Sequence, residues 1–144
     1  MTTIKRSTIR KVEDILRDYP KLDKYIEQRE AELRYPTSQP DDNVGGGKSN
    51  YRDPDTLTRT LITIDEDKRL NSLKHQRDVI DNLLDESGPD TLTIIRELYF
   101  KKYPRFTLRG LVEQHLVNVS RSTAYELRNR FISDCAKELG LFDI

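Results

Sequence analysis

The chain has 144 residues, and its 25 basic and 25 acidic side chains give a formal net charge of zero. That length suits one ordinary domain, or a small domain with a helical arm. No apolar run reaches the roughly 18 residues of a membrane span, residues 1–6 lack a signal peptide's apolar stretch, and a lone Cys135 permits neither an internal disulfide nor a cysteine metal cluster. His75 and His115 stand apart and add no metal site. The expectation is a cytoplasmic protein with no cofactor, metal or membrane partner, and no carboxylate pair or nucleophile–base set marks an enzyme.

The pattern is all-α. Ser7 or Thr8 is suited to cap a first helix with Ile9, Val12, Leu16 and Tyr19 at helical spacing. Pro20 ends it, because proline loses a helical hydrogen bond and clashes with the preceding turn. A second helix follows with Leu22, Tyr25, Ile26 and Leu33, so residues 1–34 read as an N-terminal helical pair. Residues 35–52 hold three glycines and two prolines among few apolar side chains and read as a flexible linker. Asp53–Pro54 is a strong start for a long middle helix within 53–87, running to about Leu84. Its stripe of Leu57, Leu61 and Ile64 is out of phase with Leu70, Leu73, Ile80 and Leu84. A bend or change of face is therefore expected at the polar run 65–69. This helix is expected to pair chains or to pack the N-terminal helices against the C-terminal part.

Residues 90–144 read as a helix-turn-helix domain. Asp90 caps a helix reaching Tyr99 or Phe100, with Leu92, Ile95 and Tyr99 on one face. Residues 101–105 form a basic turn. Thr107 caps a short helix over 108–115, a turn containing Asn118 follows, and Ser120 caps a long helix that ends near Gly140. Leu111, Val112, Val119, Ala124, Leu127 and Phe131 would form the inner face of the last two helices, with their outer face free for a DNA groove.

The outer residues are those that read base edges. Arg grips guanine, Asn pairs with adenine, Glu accepts from cytosine and Ser serves either. Ser120, Arg121, Ser122, Tyr125, Glu126 and Asn129 are assigned to base readout. Arg105, Thr107, Arg109, Thr123 and Arg128 are assigned to phosphates, which set position rather than sequence. Arg130 flanks the set. The apolar pattern alone fits a plain three-helix bundle equally well; the restricted string at 119–125 favours DNA. Residues 91–144 hold 9 basic and 6 acidic side chains, net +3, against 16 and 19, net −3, in residues 1–90. Such asymmetry is an electrostatic footprint for nucleic acid. On this reading the acidic part restrains indiscriminate binding, and a 91–144 fragment would hold random DNA more tightly than the whole chain.

Two regions carry a resemblance. Residues 7–20, STIRKVEDILRDYP, resemble the N-terminus of RinA-type late transcription activators of phages of Gram-positive bacteria. The region from Arg96-Glu97-Leu98-Tyr99-Phe100 through Ser122-Thr123-Ala124 to Lys137-Glu138-Leu139-Gly140 resembles their C-terminal module. That module is also similar to region 4 of bacterial sigma factors. The resemblance implies a phage-encoded activator that binds double-stranded DNA at a late promoter region, upstream of packaging and structural genes. It places DNA contacts on the helix beginning at Ser120. Host RNA polymerase and a second copy of the chain are further partners to test. Between Thr107 and Val119 the chain has about two residues more than a compact helix-turn-helix.

Gly47-Lys48-Ser49 suggests a phosphate loop, but Asp42 stands where that pattern needs glycine, and no strand–helix context surrounds it. His75 reads as solvated, and His115 as a phosphate contact or a helix-end residue favourable to the dipole. Cys135 reads as a small buried apolar residue. Two alternatives stay open: a packaging component resembling a small terminase subunit, and an RNA polymerase adaptor.

Overall fold

A computed structural model describes residues 4–35, 63–64 and 67–141. All regular elements among them are helices, as the sequence pattern requires. They are α1 (Arg6–Asp18), a 3-10 turn (Tyr19–Lys21), α2 (Leu22–Arg34), α3 (Lys68–Glu86), α4 (Pro89–Ile95) with a π-helical turn (Arg96–Phe100), α5 (Leu108–Glu113) and α6 (Arg121–Glu138). The linker at 36–52 and the helix start at Asp53 lie outside the described residues.

The first helix begins earlier than its cap signals suggest. Its N-cap is Lys5, whose side chain makes no capping bond, and the Ile9 N–H donates to the Lys5 carbonyl at 3.0 Å. Ser7 and Thr8 thus lie in the first turn. Packing outweighs the cap, because Ile4 then reaches the core beside Ile9. The 3-10 turn carries Pro20 and leads directly into α2.

Within the polar run of the middle segment a helix starts at Lys68, with Asp67 as its N-cap. Asp67 has extended backbone and caps α3, its carboxylate accepting from the Leu70 N–H at 2.8 Å. The same carboxylate receives Arg29 of α2 bidentately, at 2.8 and 3.2 Å, and Arg29 holds it below the usual carboxylate range. Lys74–Glu30 at 3.3 Å and Arg77–Asp23 at 3.7 Å continue the seam, so α2 and α3 run antiparallel. Ile26, Ile64 and Leu70 are buried between them.

The main core joins both ends of the chain. Val12 and Leu16 of α1, Ile80 of α3, Ile95 and Tyr99, and Phe131, Ile132, Cys135 and Ala136 of α6 form one buried cluster. Leu141 shares a small cleft with Ser7, Thr8 and Lys11, so α1 runs antiparallel to α6. The Tyr99 hydroxyl donates to Glu13 Oε2 at 2.8 Å; burial first, then that carboxylate, pushes its pKa upward. The Tyr19 hydroxyl donates to Asp81, and its ring stacks on Phe100 with centroids 4.8 Å apart. Burial pushes the Cys135 thiol up to about 12.

Candidate nucleic-acid interface

A second cluster organises the C-terminal helices. Ile94, Leu108, Leu111, Val117 and Ala124 are buried, with Val112, Val119, Tyr125 and Leu127 packed around them. Ala124 has no exposed surface, and its small side chain lets α5 and α6 approach closely. The inner face expected from sequence is therefore largely present, with two adjustments. Val117, in the turn before Asn118, is a core anchor, while Val119 is half-buried. Phe131 packs in the main core with α1 rather than against α5.

Both helix starts are capped as the sequence indicates. Thr107 Oγ1 accepts from the Gly110 N–H at 3.1 Å, and Ser120 Oγ accepts from the Thr123 N–H at 3.3 Å. Ser120 Oγ also donates to Thr123 Oγ1 at 2.9 Å. Thr107 and Ser120 thus spend acceptor capacity on their own helices. The N-cap of α4 is Gly88, not Asp90. Pro89 takes the first helical position, which frees the Asp90 carboxylate to accept from the Asn118 N–H at 3.1 Å.

The connection between α5 and α6 spans 114–120 and ends α5 in a Schellman turn. Leu116 N–H donates to the Leu111 carbonyl at 3.0 Å, and His115 N–H to the Val112 carbonyl at 3.1 Å. His115 takes the left-handed position, φ 56°, where glycine is usual. That backbone turn is the role the structure gives His115, whose side chain is exposed. Gly140, φ 75°, closes α6 in the same way.

The outer face of α6 presents exposed Ser122, Glu126, Asn129 and Arg130, with exposed Arg121 at its start. Tyr125 departs from the outward set. It is half-buried against the second cluster, and the Arg128 guanidinium lies 5.2 Å from its ring centroid. Arg128 donates to Asn129 Oδ1 at 3.0 and 3.3 Å. Asn129 must release that contact before its amide can pair with adenine. Arg105 is exposed in the basic turn. Arg109 pairs with Glu113 at 2.8 Å, an exposed contact that costs little to exchange for a phosphate.

Sequence spacing missed Arg17. Its guanidinium lies 5.7 Å from the Tyr99 ring centroid, so the N-terminal helix contributes a cation beside the C-terminal module. The two lie 82 positions apart in sequence, too far for a local signal. Among the described residues no group of acidic, histidine or cysteine side chains could hold a metal, and no helix is long and apolar enough to cross a membrane.

Residues 8–137 match a family described as a protein of unknown function, DUF722. The chain is also similar to the transcriptional activator rinA of Staphylococcus phage phi11, with 30% identity over 140 residues, covering 95% of this chain and 94% of that one. No solved structure matches. A family match over nearly the whole length, joined by a full-length relative, places the chain in the RinA-type family of phage transcription activators.

Proposed function

We propose that this protein is a phage transcription activator that binds double-stranded DNA of a late promoter region through α5 and α6. The observation that carries the reading is the start of α6. There a capped helix N-terminus presents Arg121, Ser122, Glu126 and Asn129 on an exposed face, while α5 and Val117 hold its other side. The naming of the phi11 relative as a transcriptional activator supports the same reading and gives it no catalytic part. Ser122, Glu126 and Asn129 read bases in the major groove, with Arg121 at the leading edge. Arg105 and Arg109 hold phosphates, while Arg128 has first to leave the Tyr125 ring. An activator of late packaging and structural genes must also touch host RNA polymerase, and a dimer would match paired half-sites about one helical turn apart.

Footprinting on DNA near the gene's own downstream operon tests the reading. Protection of one discrete site is expected, lost in an Arg121→Ala/Asn129→Ala variant with unchanged thermal stability. Tyr125 is a poor choice for this test because its ring also packs in the core. Protection that persists in the variant would overturn the assignment of α6.

A further inference from the structure

A second concentration of positive charge lies away from the outer face of α6. A cleft between the 3-10 turn and the basic turn is lined by Arg17, Lys21, Lys101 and Lys102, with Tyr99 in its wall and Asp18 as its carboxylate. Arg17 pairs with Asp14 at 3.1 Å, and Lys101 with Glu97 at 2.7 Å. No carboxylate among the described residues lies within ion-pair distance of Lys21 or Lys102. The Lys102 ammonium rests 5.5 Å from the exposed Tyr103 ring.

The cleft reaches α6 through Tyr99, which lines its wall and packs in the core with Phe131 and Ile132 of that helix. Because α1 runs antiparallel to α6, its Arg17 end lies toward the N-terminal half of α6. Arg17 covers the Tyr99 ring, Tyr99 packs with Phe131 of α6, and Arg128 of the same helix covers Tyr125. A line of cations and rings therefore runs from the cleft to the helix. A helix in the major groove, about 12 Å wide, has a phosphate strand on either side. Cations set beside such a helix meet one of those strands.

We propose that this cleft receives the sugar–phosphate backbone of the duplex held by α6, with Lys21 and Lys102 each neutralising a phosphate. The proposal rests on the DNA-binding reading above, and charge complementarity selects this occupant, since four cations and one carboxylate line the cleft.

The test uses the full chain and a fluorescent random-sequence 30-base-pair duplex, titrated by anisotropy from about 50 to 200 mM salt, where phosphate contacts dominate. A Lys21→Gln/Lys102→Gln variant should bind about tenfold more weakly, with a log–log salt slope shallower by about 2. A Lys21→Arg/Lys102→Arg variant should keep affinity and slope, which separates lost charge from damaged folding. Unchanged affinity and slope in the glutamine variant, with binding weakened by Arg121→Ala, would overturn the cleft and leave the α6 reading standing. Loss of capture of purified RNA polymerase at an unchanged DNA slope would reassign the cleft to a protein and overturn the proposal. No salt-dependent binding by the unsubstituted chain would overturn both readings.

Discussion

The Asp90 carboxylate accepts a hydrogen bond from the Asn118 backbone N–H at 3.1 Å, across 28 residues of sequence. It ties the first turn of α4 to the connection between α5 and α6. That connection is longer than a compact helix-turn-helix needs, and this bond is one of the devices that hold its shape. Asp90→Ala should cost about 1 kcal/mol, since the bond is charge-assisted but exposed. The melting temperature should fall by about 3 °C. DNA affinity should fall further than stability alone explains, because the start of α6 loses its tether. Anisotropy and thermal melts on one preparation check both, and equal affinity would show that the tether does not position the helix.

Leu16 has no exposed surface and packs among side chains of α3, α4 and α6. Leu16→Ala should destabilise the chain by about 2–5 kcal/mol, the range for a buried leucine truncation. Because Val12, Leu16 and Ile80 complete the core around Phe131 and Ile132, the loss should appear in the C-terminal helices as well. The 91–144 fragment lacks all three, so tighter binding of random DNA by that fragment no longer follows. It should instead show reduced helicity and bind apolar dyes. Urea denaturation of Leu16→Ala and circular dichroism of the fragment provide the check, and a fully folded fragment would contradict the shared core.

The left-handed backbone at His115 gives a directional test. A β-branched side chain tolerates φ 56° poorly, so His115→Val should lose about 1–2 kcal/mol, whereas His115→Gly should lose none. Chemical denaturation of the pair decides this, and equal stabilities would show that the turn relaxes out of that conformation.

Asp67 gives the chain a pH-dependent element of stability. Its pKa is lowered by Arg29 and by the Leu70 N–H. A carboxylate depressed in the folded state contributes fully above its unfolded pKa and loses that contribution as pH falls through the lower folded value. Asp67→Asn should therefore be less stable than the unsubstituted chain at pH 7, with the gap narrowing below about pH 4. Urea midpoints measured at both pH values test the sign. A constant gap would assign the effect to capping alone.

Burial at zero exposure and a thiol pKa of about 12 should make Cys135 inert to thiol reagents in the native state. Ellman's reagent should react stoichiometrically in denaturant and slowly without it. Rapid reaction of the folded chain would place Cys135 outside the core.

Much of this was legible in the sequence, because it is written in local chemistry. Thr107 and Ser120 cap as their hydroxyls dictate, Gly140 closes α6, Pro20 stops α1, and the 3.6-residue spacing marks Leu111, Ala124 and the exposed Arg121, Ser122, Glu126 and Asn129. These signals need neighbours only three or four residues away. Tertiary structure decided the rest. It seats α1 against α6, turns Tyr125 partly inward under Arg128, sends Asp90 to Asn118, and makes Asp67 a joint between α2 and α3. It also changes what the zero net charge means. The split into −3 and +3 at residue 90 is real in sequence, yet Arg17 and Lys21 of the acidic part line the same cleft as Lys101 and Lys102. Charge sums follow the chain, whereas electrostatic fields follow distance, and distance is set by which apolar faces find one another.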